Sequence, residues 1–237
     1  MFTTGHLWIA IGLTLACVSC GQSGDAIAEA PRASTSQATQ TQPAAVSAPR
    51  IVFLGDSLTA GYGLAKEQSV PSLIESHLRG DGYPYEVVNA GVSGDTSAGG
   101  LSRLDWSLDG DVRVLVLELG ANDGLRGLPV ENLKRNLAEV ITRAQSRGIK
   151  VVLTGMEAPP NFGAAYTSEF RRVYKELSKE HDVTFVPFYL EGVAGIPSLN
   201  IADGMHPNPE GARIIERMIW RALEPLLDKR AGRSAAR

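Results

Sequence analysis

Four short segments rich in small residues carry the side chains in this 237-residue chain that are best suited to chemistry. Gly55-Asp56-Ser57-Leu58 offers a hydroxyl. Asn89-Ala90-Gly91-Val92-Ser93-Gly94-Asp95 offers backbone N–H groups where glycine permits a tight turn. Gly120-Ala121-Asn122-Asp123-Gly124 offers a side-chain amide, and Asp203-Gly204-Met205-His206-Pro207 an acid and an imidazole three residues apart. A nucleophile, a base, a group that orients the base and N–H donors for an oxyanion are the parts of acyl transfer. Each residue also has an ordinary reading: a serine after a strand is usually a turn or helix cap, Asn122 suits a strand-end turn, and Gly94 suits a positive-φ position. Of the four histidines, His6 lies near the N-terminus and His77 and His181 fall on expected helices, so only His206 has an acid at a useful spacing. Asp56, Asp95 and Asp123 follow Gly or Asn and read as turn and cap residues supporting the site. Oxygen and imidazole donors at Asp56, Asp123, Asp203 and His206 invite a metal reading. The spacing matches no metal motif, so no metal and no cofactor is expected.

Alternating elements position these segments. Ile51 to Gly55 is a short apolar run ending in glycine; Tyr85 to Asn89, Val112 to Leu119 (VRVLVLEL), Val151 to Leu153 and Val183 to Val186 are further strand candidates. Helical spacing appears over Gln68–Arg79, Pro129–Arg147, Ala164–Glu180 and Pro209–Leu227, with Pro near the start of the second and Gly148 at its end. Near-continuous apolar strands alternating with helices predict a single α/β domain, a mostly parallel sheet covered on both faces in three α/β/α layers. In such sheets sites lie at the carboxyl ends of the strands, where the four segments fall.

With the segments in place, the chain resembles the GDSL, or SGNH, hydrolase family. Gly-Asp-Ser-Leu at 55–58, Gly94 in Ser-Gly-Asp-Thr, Asn122 in Gly-Ala-Asn-Asp and Asp203-x-x-His206 match its four motif blocks in order. The longer stretch from Asn122 to Gly127 resembles the bacterial arylesterase, lysophospholipase and thioesterase branch. The resemblance implies a flavodoxin-like SGNH-hydrolase architecture. It implies Ser57 as nucleophile, His206 as the base that returns the proton to the leaving group, and Asp203 as the residue that orients the imidazole. It further implies an oxyanion hole of the Ser57 and Gly94 backbone N–H groups and the Asn122 amide. Small aryl esters, short-to-medium acyl esters, acyl thioesters and lysophospholipids are the substrates it implies. Two loops, GLRGLP at 124–129 and MEAPPNFG at 156–163, are expected to flank the site, with Leu125, Leu128 and Phe162 as apolar contacts for the acyl group. No long apolar lid segment is present. A carbohydrate O-acetylesterase shares the same catalytic set, and a non-catalytic lipid-binding surface lipoprotein is a reading from another class; acyl-length preference and reactivity of Ser57 discriminate them.

The N-terminal part reads as an address. Leu7 to Val18 is a twelve-residue apolar run, too short for a bilayer, where about 20 residues are needed, and suited to a signal peptide, although no Lys or Arg precedes it. It runs into Ala16-Cys17-Val18-Ser19-Cys20-Gly21, which resembles a bacterial lipobox. Residues 1–20 are therefore expected to be a signal, with Cys20 lipidated and Cys17 the alternative, and a plainly cleaved secretory signal as the bland reading. Of the 29 residues Gly21 to Pro49, 24 are Ala, Ser, Thr, Gln, Pro or Gly; such a segment buries too little surface to fold and reads as a linker. The domain is expected over 50–228 and a disordered tail over 229–237. Export to the periplasm or the outer membrane, held by the N-terminal lipid, follows. With 23 basic and 26 acidic residues the net charge is −3, so nucleic acid is not expected as a partner; the expected state is a monomer acting on a small acyl ester. Both cysteines fall in the first 20 residues, so the nucleophile of the domain has to be an oxygen.

Overall fold

The computed structural model describes residues 48–231. The expected signal, Cys20, most of the spacer and the end of the tail lie outside the described residues. Five strands form one sheet: β1 (Arg50–Gly55), β2 (Glu86–Gly91), β3 (Val112–Glu118), β4 (Lys150–Thr154) and β5 (Thr184–Val186), in the order β2-β1-β3-β4-β5. Every pairing is parallel. β1 and β3 are central and buried on both faces, with Ile51, Val52, Phe53, Leu54 and Val114 to Leu117 fully inside, which explains their unbroken apolar runs. β2, at the edge, is half exposed and alternates less cleanly.

The helices are α1 (Ser57–Ala60), α2 (Val70–Gly80), α3 (Ser97–Ser102), α4 (Leu104–Ser107), α5 (Ala121–Leu125), α6 (Val130–Ser146), α7 (Ala164–Glu180) and α8 (Pro209–Leu223). After β1 the chain crosses to β2 on one side; after β2 it passes to the other side and proceeds outward through β3, β4 and β5. Right-handed crossovers place α2 on one face and α6 and α7 on the other, and the packing agrees: α2 lies against α8, and α6 against α3 and α7. The apolar stripe of α6, Leu133, Leu137, Val140 and Ile141, is buried; truncating one such leucine typically costs about 2–5 kcal/mol. α8 starts at a side-chain cap, Asn208 accepting from the Glu210 and Gly211 N–H groups, with Pro209 in the first turn.

The α8 periodicity predicts a helix to Leu227, but the α-helix ends at Leu223 and a single 3₁₀ turn, Glu224–Leu226, follows. Pro225 has no N–H to continue the ladder. Beyond α8 the described residues run to Ala231, and Lys229 Nζ stands 4.7 Å from the Tyr83 ring centroid. α1, α3, α4 and α5 are absent from the periodicity reading because four to six residues cannot display a helical period.

In β1 and its two neighbours the registers align Gly55 with Gly91 and with Glu118, so three carboxyl ends are level. The reversal of strand order at β1 opens a crevice between the ends of β1 and β3, the position where open α/β sheets bind ligands.

Candidate active site

Ser57 is the first residue of α1, directly beyond β1. The preceding Asp56 caps the helix: its Oδ1 accepts from the Leu58 N–H at 3.0 Å. Gly61, in the left-handed region at φ 79°, ends the helix after one turn, its N–H donating to the Ser57 carbonyl. The nucleophile candidate therefore sits on a tight strand-to-helix corner. The other carboxylate oxygen of Asp56 accepts from Asn122 Nδ2 at 3.1 Å. Asp56 is fully buried, and burial pushes its carboxyl up to about 6, against the lowering effects of the Leu58 N–H and the Asn122 amide.

The imidazole arrives from the other end of the chain. His206 Nε2 is 2.8 Å from Ser57 Oγ, and His206 Nδ1 is 2.6 Å from Asp203 Oδ2. With Nδ1–H donating to the carboxylate, Nε2 is the acceptor for the serine O–H. Asp203 Oδ1 accepts from the Met205 and His206 backbone N–H groups at 2.9 and 3.0 Å, an Asx-type turn that closes the three-residue spacing. The His206 and Met205 N–H groups and the imidazole hold the Asp203 carboxyl down at about 2. The turn is tied to the fold by the Ile201 N–H on the His206 carbonyl and the Asn208 N–H on the Leu199 carbonyl, just before α8. The Tyr62 ring covers the imidazole, centroids 4.7 Å apart.

On the far side of Ser57, Gly94 has φ 85°, a conformation that favours glycine. Its loop is clamped by Arg103, which the sequence reading missed. Arg103 Nε donates to Asp95 at 2.6 Å, and its two Nη groups donate to the Ala90 and Gly55 carbonyls at 2.6 and 2.8 Å. One guanidinium so joins the ends of β1 and β2 to the Gly94 turn, a planar fork task for which Arg is suited. Below it, the Ser97 N–H and hydroxyl donate to the two oxygens of Asp123 at 2.7 and 2.6 Å, and Asn136 donates to Ser97 Oγ at 3.0 Å. This buried network links the start of α3 to α5, the helix that presents Asn122. The expectation that Asp56, Asp95 and Asp123 are supports fits these bonds. Among the described residues no cluster of three or more His, Cys, Asp or Glu has metal-binding geometry.

Ser57, Gly94, Asn122 and His206 all line one cleft of about 520 Å³. Its remaining wall is largely apolar: Leu125, Met156, Pro159, Phe188 and Leu190 take part. Leu125 is therefore where the sequence places it. Leu128 and Phe162 are not among the cleft's lining residues. The Leu128 carbonyl accepts from the Tyr166 hydroxyl at 2.8 Å, and Phe162 packs on the Tyr166 ring, centroids 5.4 Å apart. Both loops do border the cleft, but the Leu128 carbonyl and the Phe162 ring fasten them to α7. Phe188 and Leu190 were missed because they follow β5, the shortest strand, and stand in no motif. Arg103 was legible only as a lone basic residue after a run of small ones, a weak signal.

Comparisons with known proteins show what the chain is similar to as a whole. The model of the GDSL-like lipase/acylhydrolase family matches residues 53–214. Esterase TesA of Pseudomonas aeruginosa is 43% identical over 188 residues, 79% of this chain and 92% of that protein. The arylesterase of Vibrio mimicus is 40% identical over 175 residues, 73% of this chain and 88% of that protein. Among solved structures, a crystal structure of TesA aligns with a TM-score of 0.72 at 42% identity, covering 76% of this chain and 99% of that one.

Proposed function

The chain belongs to the GDSL-like lipase/acylhydrolase family and is an esterase, and on that premise we propose that it is an exported serine hydrolase acting through a Ser57–His206–Asp203 triad and an acyl-enzyme intermediate. Ser57 Oγ attacks the acyl carbonyl while His206 Nε2 takes its proton; the imidazolium, steadied by Asp203, gives that proton to the leaving alkoxide, phenoxide or thiolate. Water then repeats the sequence on the acyl-enzyme, with His206 again as base, and releases the acid. The negative oxygen formed in each step is held by the Ser57 and Gly94 N–H groups and by Asn122, which spends one amide N–H on Asp56 and has a second to give. Losing one such donor typically costs about 10²–10³ in turnover.

The observation that carries this reading is the 2.8 Å contact between His206 Nε2 and Ser57 Oγ, made across 149 residues of chain with Asp203 on the opposite nitrogen. The apolar cleft beside it suits aryl and short-to-medium acyl groups, and acyl thioesters and lysophospholipids present the same reacting carbonyl. The N-terminal apolar run and the cysteine at position 20 support export and a lipid tether. The experiment is an activity panel of p-nitrophenyl esters of graded chain length, acyl thioesters and lysophospholipids on the 50–237 domain, with Ser57→Ala as control. Loss of essentially all activity in the variant is expected; retained activity refutes the mechanism. A steep fall beyond acetyl would point to a carbohydrate O-acetylesterase instead. Substituting Cys20 and then Cys17 by Ser, with radiolabelled fatty acid, tests the tether; label that survives both changes refutes it.

A further inference from the structure

Glu118, the last residue of β3, is completely buried and takes no part in the reaction derived above. Its Oε2 accepts from the Asp56 backbone N–H at 3.2 Å and from the Thr59 hydroxyl at 2.8 Å. Those two residues stand on either side of Ser57 and Leu58, so one carboxyl oxygen spans the corner that carries the nucleophile. Gly55 makes room for it: a Cβ there would lie 2.6 Å from Glu118 Oε2 and 2.0 Å from Thr59 Oγ1. Oε1, the other oxygen, has no hydrogen-bond partner among the described residues.

We propose that Glu118 is a positioning residue for the acyl-transfer reaction, its neutral carboxyl stapling Asp56 to Thr59 and so fixing the direction of Ser57 Oγ and of the Ser57 N–H. A carboxylate with a bare, fully buried oxygen would carry a large desolvation cost; a proton on that oxygen removes the charge and leaves Oε2 to accept from both donors. Burial, and then the charge of Asp56, push the Glu118 carboxyl well above its ordinary range. Asp56 is the better member of the pair to hold the charge, because it receives the Leu58 N–H and the Asn122 amide. His206 also acts on the pair, its charge favouring ionised Asp56, whereas Tyr174 and Tyr189 are buried phenols pushed upward and neither supplies a positive charge. Serine esterases need their nucleophile placed to within a fraction of an ångström, and a misplacement of about 1 Å can cost about 10² in rate.

This inference rests on Ser57 being the nucleophile, and its test is separate from the test of that reading, since Ser57→Ala decides the latter alone. Glu118→Gln keeps the accepting oxygen and the size but can never ionise; Glu118→Ala removes the staple; Thr59→Val removes one of its two ends with little change of volume. All three are compared with the parent for kcat, KM and fluorophosphonate labelling rate, on samples whose near-ultraviolet circular dichroism shows them folded. Expected are kcat within about 3-fold of the parent for Glu118→Gln, a fall of about 10² for Glu118→Ala with KM nearly unchanged, and an intermediate fall for Thr59→Val. If Glu118→Ala does not fold, Glu118→Gln and Thr59→Val decide. Parent-like kcat and labelling in Thr59→Val would overturn the staple. A fall in Glu118→Gln as deep as about 10², or a change in KM alone, would overturn the neutral positioning role.

Discussion

The two halves of the site are built by opposite means. The floor, at the ends of β1 and β3, joins Asp56, Glu118 and Asn122 through bonds that span 62 to 66 residues of chain, and its acids are buried and shifted upward. The arm, Asp203 to His206, is closed by bonds between residues two and three apart, with Asp203 partly in solvent and shifted downward by its own turn. Order in the floor is tertiary and stands against the burial cost of carboxyl groups. Order in the arm is local, and its one long-range hydrogen bond among the described residues, the imidazole on Ser57 Oγ, is the link the proposed reaction uses. Damage to the arm should therefore remove activity at a smaller cost in stability than damage to the floor.

The largest expected effect falls in the arm. His206→Ala should lower kcat by about 10⁴–10⁶ with thermal stability near the parent's, read by ester kinetics and calorimetry. Asp203→Ala should cost somewhat less, about 10³–10⁴, because the site loses the group that orients the imidazole but keeps the imidazole itself as base. A large fall in melting temperature in either would erase the contrast. In the floor, Asn122→Ala should lower kcat by about 10²–10³. It should also raise the Asp56 carboxyl further, since the amide is one of the groups holding it down.

The pH dependence of stability sharpens the contrast because the signs oppose. Asp56 has a native value of about 6 against 3.8 ordinarily, so its contribution is fully present below about 3.8 and is lost as pH rises through about 6. Asp203 moves from 3.8 to about 2, so its contribution is fully present above 3.8 and is lost as pH falls through about 2. Asp56→Asn should flatten the melting-temperature profile between about pH 4 and 6 and leave the acid limb in place. It should also reduce activity, because Asp56 accepts from Leu58 on one oxygen and from Asn122 on the other, and an Asn side chain keeps only one of those two oxygens. An unchanged profile between those limits would show that Asp56 is not the buried titrating group. The smallest effect belongs to the cleft wall. Leu125→Ala should lower kcat/KM several-fold on longer acyl esters and leave acetyl esters nearly unchanged, while Phe162→Ala should alter neither, because its ring packs on Tyr166.

The sequence reading reached furthest where a single physical signal decided the outcome. VRVLVLEL could only be a buried strand, and the α6 stripe only an amphipathic helix. Ser57 and His206 could be singled out because each stands in a glycine-bounded segment, and the four-block order carried the family. Leu128 and Phe162 show the limit: a loop's place along the chain can be read, but which of its side chains turns to the cleft depends on α7, whose Tyr166 captures both segments. Glu118, an acid inside an apolar strand, was passed over in the sequence; its partners at Asp56 and Thr59 depend on the β1–β3 register, which no local pattern contains.

The most direct test of the convergence of floor and arm is the intact mass of the protein after reaction with a fluorophosphonate, followed by peptide mapping, for the parent, Ser57→Ala and His206→Ala. The expected result is one phosphonyl group on Ser57 of the parent, none on Ser57→Ala, and labelling of His206→Ala slowed by orders of magnitude. Labelling at another residue, or equal labelling rates in the parent and His206→Ala, would contradict it.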